Sequence, residues 1–303
     1  MTRTFHFTIT SKESGMPIGF YLKSMGVSSS CLIQLRKKPG SILLNHIPVL
    51  MKTAMKEGDL LTVILEEPKS SEHIPPVNLP LHIIYEDEDI LVVNKPADMP
   101  IHPSMDNYEN TLGNAVAYYY KDQMPFVYRC VNRLDRDTSG LTIVAKNQIS
   151  AGILSQMISK REIKREYLAL ASNASLPKDG TVDAPIARKE ASVIERIVDY
   201  EHGERAVTHY QTICKNTERN LSLLLLHLDT GRTHQIRVHM KHIGSPLIGD
   251  YLYNPDMKYI SRQALHSYRL TFNHPITKEP MRFVAPVPDD MLYAFGISIP
   301  ILD

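Results

Sequence analysis

The sequence predicts an α+β protein in two parts: a small α/β module over residues 1–67 and a longer α+β domain over residues 81–303. Three observations carry this reading. The 303 residues exceed the roughly 150 of an average domain, and 43 % are apolar, enough to bury globular cores. Residues 68–80 hold four prolines and no apolar period, which excludes a helix or central strand and marks a linker. Short helical and strand-like patterns lie on both sides of it, without internal repeats.

In the first part, residues 18–25 and 28–37 read as two short helices, the second capped by Ser28 and stopped at Pro39-Gly40. Strands follow at 41–45 and 60–65, the last preceded by a turn at 56–59. Two helices followed by a short sheet, with Arg36, Lys37 and Lys38 at the helix end, resemble the S-four-like RNA-binding module over residues 13–66. That resemblance implies a salt-sensitive contribution to RNA affinity from Lys23, Arg36, Lys37 and Lys38. The proline-rich linker predicts a semi-extended spacer that holds the two parts at a limited range of separations.

In the second part, residues 81–84 and 90–94 flank the acidic turn 86–89 as a hairpin. Runs 126–129 and 141–145 read as strands on either side of a polar connection. Ile149, Ile153, Leu154, Met157 and Ile158 fall on one helical face, opened by a cap at Asn147. Further strands are expected at 167–171 and 223–228, and a helix after Gly231 that stops at Gly244.

Composition excludes several classes. The formal net charge is +1, so bulk charge alone does not make this a polyanion-binding chain. Residues 1–67 nevertheless hold 8 Lys and Arg against 5 Asp and Glu, which places the positive surplus at the amino end. Cys31, Cys130 and Cys214 are too scattered for a disulfide framework or a metal knuckle, which fits a reducing compartment. No apolar run is long enough to span a membrane, and the first residues lack a secretory apolar region. A cytoplasmic chain is expected. No Gly-Lys-Ser/Thr loop points to ATP.

Two segments carry the chemistry. The first, residues 130–141, reads Cys-Val-Asn-Arg-Leu-Asp-Arg-Asp-Thr-Ser-Gly-Leu, a sharp polar connection between strand-like runs. Its Asp, Thr, Ser and Gly are also ordinary turn formers. The second runs from Asp229 through Gly231-Arg232-Thr233-His234-Gln235-Ile236-Arg237-Val238-His239. Cations near a helix amino end are electrostatically unfavourable, so an acidic partner or ligand is implied. His234, His239 and His242 are spaced five and three apart with no Glu between them, which does not match a zinc helix.

Together these segments resemble the RluA-type (RluA/RluD) pseudouridine synthases. Arg-Leu-Asp-x-x-Thr-Ser-Gly-Leu stands at 133–141 and Gly-Arg-Thr-His-Gln-Ile-Arg-Val-His at 231–239. Asn94-Lys95-Pro96, His102-Pro103, Arg165-Glu166-Tyr167, Gly249-Asp250, Gln263-Ala264-Leu265-His266 and His274-Pro275 follow in family order. The resemblance implies a mixed, largely antiparallel sheet flanked by helices and loops, preceded by the RNA-binding module. It also implies isomerisation of uridine within RNA, ribosomal RNA before transfer RNA, by a monomer without cofactor or metal.

Carried over residue by residue, the catalytic aspartate is Asp135, with Tyr167 as aromatic partner and Arg237 as buried arginine. Arg133, Thr138, Arg165, Arg232, His234, Gln235 and Leu265 are implied in substrate binding, Arg133 filling the gap left by a flipped base, and Lys241 in RNA contact. The chemistry needs an ionised carboxylate near the anomeric carbon, as nucleophile or as base. Burial raises a carboxyl pKa unless an opposite charge stands close, a task that fits Arg237. Three positions depart from the family pattern: Asn132 for His, Arg165 for Lys and Asp98 for Gly.

Two alternatives stay open at this point. A non-catalytic RNA-binding or ribosome-assembly factor keeping the same fold would explain Asn132. A glycoside or nucleoside hydrolase would use Asp135 but lacks a second placed carboxylate, since Asp137 has no motif support.

Overall fold

The computed structural model describes residues 2–67, 69–105, 107–123, 125–190 and 192–296. Pro68 of the expected linker and residues 297–303 of the expected second domain lie outside the described residues. The amino-terminal unit contains β1 (Thr2–Thr8), α1 (Ile18–Ser24), α2 (Ser29–Lys37), β2 (Ile42–Leu44), β3 (Ile47–Pro48) and β4 (Leu60–Glu66). Its antiparallel sheet runs β1-β4-β2-β3. Ser28 caps α2 by accepting the Cys31 N–H.

The second unit begins with β5 (Ile83–Glu86), β6 (Ile90–Lys95), α3 (Leu112–Tyr119), β7 (Ser139–Ala145), α4 (Gln148–Ser159) and β8 (Lys164–Ser172). It continues with β9 (Asp179–Asp183), β10 (Ile186–Arg188), β11 (Arg196–Val198), β12 (Val207–Asn216) and β13 (Leu221–Leu228). The chain then forms α5 (Gln235–His242), β14 (Leu265–Asn273), β15 (Pro280–Val284) and α6 (Asp289–Phe295). Nine strands form one sheet ordered β5-β6-β7-β14-β8-β13-β12-β9, with β15 on β14. The pairing of β7 with β14 is parallel and the rest is antiparallel, giving the mixed, largely antiparallel sheet of an α+β fold. Inserting β14 between β7 and β8 brings the loop ahead of β7 over the strand that carries Tyr167.

Two expectations are corrected. Residues 126–129 form no strand. The Phe126 and Tyr128 N–H groups donate to the hydroxyls of Ser70 and Ser71, and only Cys130 makes a ladder bridge, to Val144. Those same serines show that residues 69–80 are no free spacer. The segment is strapped to the second unit, with the Val77 N–H donating to Asn114 O and Asn114 Nδ2 to Pro75 O.

The two units share one apolar core. Phe5, Ile18, Leu22 and Leu35 belong to the same buried cluster as Ile90, Val92, Ile143, Ile149 and Leu270. Arg3 pairs with Glu88 and Asp89, and Arg129 with Glu67, across the same boundary. Gly26 and Gly152 meet there so closely that a Cβ on Gly152 would lie 2.4 Å from the Gly26 carbonyl oxygen. Among the described residues no helix is long and apolar enough to cross a membrane.

Candidate active site

The loop that carries Asp135 is pinned on both sides. Asn132 is buried, donates through Nδ2 to Leu141 O (3.2 Å) and accepts the Ile143 N–H (2.9 Å), so its amide splices the loop to β7. The Thr138 N–H donates to Asp135 O and closes the turn, while Gln263 Nε2 donates to Thr138 Oγ1. Gly140 follows at φ +109°, where a Cβ would stand 2.2 Å from Ser267 O. Only glycine permits this strand crossing. Asp135 is thereby held with its side chain 27 % exposed.

Arg237, in the first turn of α5, is 2 % exposed and faces two carboxylates. Its Nε and Nη2 donate to the two oxygens of Asp250 at 2.7 Å each, and its Nη1 donates to Asp135 Oδ2 at 3.0 Å. Burial works against the guanidinium charge, but the hydrogen bonds and attraction of Asp250 and Asp135 outweigh it and raise the Arg237 pKa. Asp250 itself is fully buried and accepts the Leu252 and Tyr253 N–H groups. The acidic partner that α5 requires is therefore this pair of aspartates. The bidentate bond to Asp250 fixes the fork and so aims Nη1 at Asp135.

His234 caps α5 in the left-handed region, φ +57°. Its Nδ1 lies 3.0 Å from Tyr253 Oη, which accepts the Arg196 N–H, and its Nε2 lies 3.9 Å from Asp135 Oδ2. A tyrosine proton donated to Nδ1 leaves the ring N–H on Nε2, facing Asp135. Burial lowers the His234 pKa against the pull of Asp135. The neutral ring is thus the form favoured at neutral pH.

A cavity of about 1310 Å³ opens beside Asp135, lined by Arg133, Arg165, Arg232 and His234 together with Arg161, Lys164 and His102. Tyr167 does not line it; the ring is 5 % exposed and buried in the apolar cluster of Leu134, Ile236 and Leu265. Burial raises its hydroxyl pKa, the positive charge of Arg165 works the other way, and the negative charge of Asp135 adds to the rise. Arg232 also pairs with Glu204 and donates to Arg205 O.

Some expected residues do not line this cavity. Gln235 is buried, donates to Val207 O and Thr208 Oγ1, and accepts from Thr230 and the Arg232 N–H, so it holds the Gly-Arg-Thr-His turn together. Thr138 and Leu265 are buried in the supporting layer. Lys241 lies exposed over the Tyr253 ring. Lys23, Arg36 and Lys37 are exposed on the amino-terminal unit, and Lys38 pairs with Glu66.

Other residues prove more central than the sequence reading made them. Asp250, Tyr253 and Lys95 shape the site, though Asp250 and Lys95 fall in matched motif fragments. Lys95 is fully buried and donates to the carbonyls of Pro96, Met99 and Arg136 at 2.7–2.9 Å, tying the segment after β6 to the residue that follows Asp135. Burial pushes its pKa down to about 7 against the pull of Asp137 and Asp135. The three histidines near α5 do not converge. His239 is buried with both ring nitrogens engaged, by Thr208 and by Ala184 O.

Fold and site define an enzyme that presents one oriented carboxylate to a cation-lined cleft. Residues 89–242 match the family described as RNA pseudouridylate synthase. The chain is 41 % identical to the uncharacterized RNA pseudouridine synthase YjbO of Bacillus subtilis (strain 168), over 91 % of this chain and 97 % of that one. It is also 41 % identical to the ribosomal large subunit pseudouridine synthase D of Haemophilus influenzae, over 78 % and 76 %. Human RNA pseudouridylate synthase domain containing 1 superposes with a TM-score of 0.58 at 26 % identity, covering 70 % of this chain and 85 % of that one. The chain belongs to the RNA pseudouridylate synthase family and is an isomerase acting on RNA. The enzyme reading stands with that assignment, and Asn132 splices the loop to β7.

Proposed function

We propose that the isomerisation depends on Asp135 and that the substrate is a uridine of large-subunit ribosomal RNA. The observation that supports the first part is the Arg237 bond to Asp135 Oδ2, backed by buried Asp250. It orients the carboxylate and leaves Oδ1 without a hydrogen bond among the described residues. The identity to relatives named ribosomal large subunit pseudouridine synthase D supports the second.

The reaction breaks the bond between N1 and C1′, turns the uracil, joins C5 to C1′, releases the C5 proton and protonates N1, with no net change in atoms. Asp135 serves at the sugar, either adding to C1′ or taking the C2′ proton. A uridine must leave its stack to reach it, at a cost of about a few kcal/mol, and exposed Arg133 at the cavity edge fills the gap. Tyr167, buried next to the cleft-lining Arg165 and Glu166 on the same strand, offers its aromatic ring to the uracil. Arg165 and Arg232 supply cations for the phosphates.

The test uses ribosomal and transfer RNA from cells lacking the gene, carrying tritium on uridine C5. The wild-type protein is expected to release tritium to water from ribosomal RNA, and Asp135→Ala to release none. Release by Asp135→Ala removes the aspartate from the chemistry. Release from transfer RNA alone removes the ribosomal assignment.

A further inference from the structure

The turn joining α4 to β8 divides two cavities. On one side lies the active cleft. On the other lies a cavity of about 520 Å³, within the roughly 300–1,000 Å³ of ligand clefts. Met25 of the amino-terminal unit and Met157 of α4 are part of its wall, and three lysines, Lys160, Lys164 and Lys278, face a single lining carboxylate, Glu162. Lys164 lines both cavities, so the two basic surfaces are continuous. Lys38, Lys146 and Lys189 are each paired with a glutamate. No ion pair within 4.0 Å engages Lys160, Lys164 or Lys278 among the described residues.

Three lysines against one lining carboxylate leave this wall with a positive surplus even though Lys278 Nζ also donates to Pro275 O, and such a surface favours a polyanion. Arg165, on the following strand, lines the active cleft and carries the positive surface onward, while Arg161 on the same turn pairs with Asp229. We infer that the second cavity is a track for the RNA backbone leaving the active cleft. Lys160 and Lys278 meet phosphates of nucleotides that flank the target uridine, and Lys164 bridges the two sites. The docked amino-terminal unit is part of the track because Met25 is one of its walls. The inference rests on RNA as substrate, which the family establishes, and not on which RNA is modified.

Binding of the full-length protein to two labelled probes across a KCl series tests the track. The probes are large-subunit ribosomal RNA fragments and unfractionated transfer RNA, because phosphate contacts carry no sequence information. Each phosphate contact contributes about 0.7–0.9 to the slope of log affinity against log salt. Lys160→Gln/Lys278→Gln is expected to lower that slope by roughly 1.5 on both probes and to weaken binding several-fold at low salt. Lys52→Gln/Lys56→Gln, exposed lysines outside both cavities, is the control and is expected to keep the wild-type slope. Equal slopes for wild type and Lys160→Gln/Lys278→Gln overturn the track. An equal fall in the control pair also overturns it, since net charge alone then explains the effect. The readout is binding, so it is independent of the tritium result on Asp135.

Discussion

Arg237 is the residue on which the site turns, and its buried charge is neutralised mainly by Asp250. Removing one partner of a buried pair costs about 3–5 kcal/mol, because the other charge is left uncompensated. Asp250→Ala is therefore expected to lower the urea midpoint by that equivalent and to abolish tritium release, with Asp250→Asn intermediate in stability. An unchanged midpoint would show that Asp135 alone satisfies the guanidinium. Lys95 gives a pH signature. In the fold it releases its proton near 7, and in the unfolded chain near 10.5. Between those values the unfolded chain holds more protons, so this group makes stability rise with pH across that window. Wild type is expected to gain stability relative to Lys95→Met as pH rises from about 7 toward 10.5, read from urea midpoints. A pH-independent difference would place the Lys95 proton elsewhere. Asp135 and Arg237 were legible because their segments carry a specific pattern of residues. The roles of Asp250 and Tyr253 were not, since each depends on a contact that the fold makes with the far side of α5. The backbone bonds of Gln235 were not legible for a related reason: a polar side chain inside a motif gives no sign of whether it faces the ligand or the backbone.

At the scale of elements, capping and periodicity made α2, α4 and α5 readable, because the signals at Ser28, Asn147 and Gly244 are local. The misassigned run 126–129 failed because strand formation needs a partner edge, and linker serines had taken its N–H groups. β14 escaped notice for the same reason, since its parallel pairing with β7 joins residues more than a hundred positions apart. The contact of α4 with the amino-terminal unit gives a prediction of its own. Gly152→Ala improves helix propensity by about 1 kcal/mol, but its Cβ would stand 2.4 Å from a backbone oxygen that cannot move aside cheaply. The clash is expected to win, costing about 1–3 kcal/mol and raising hydrogen exchange in β1 and α1 while β8 and β13 keep their protection. Unaltered exchange in β1 and α1 would show that the unit is held elsewhere along the boundary.

For the whole molecule, the shared core decides how the amino-terminal unit can be interrogated. Phe5, Ile18 and Leu22 pack in one cluster with Ile90, Ile143 and Ile149, and Arg3 and Arg129 add ion pairs across the boundary. A chain lacking residues 1–67 would bare that apolar face, so its behaviour reports folding before it reports RNA affinity. Such a chain is expected to lose its cooperative melt and to bind a hydrophobic dye; a sharp melt at the wild-type temperature would show that the second unit stands alone. The RNA-contact role proposed for the amino-terminal unit is instead tested in the intact chain by Lys23→Gln/Arg36→Gln/Lys37→Gln. All three side chains are exposed, whereas Lys38 already answers Glu66. If all three meet phosphates, the log–log salt slope falls by about 2, while the melting temperature, which depends on the shared core, stays put. A slope that matches wild type would leave the amino-terminal unit with a single task, closing one side of the catalytic unit's core.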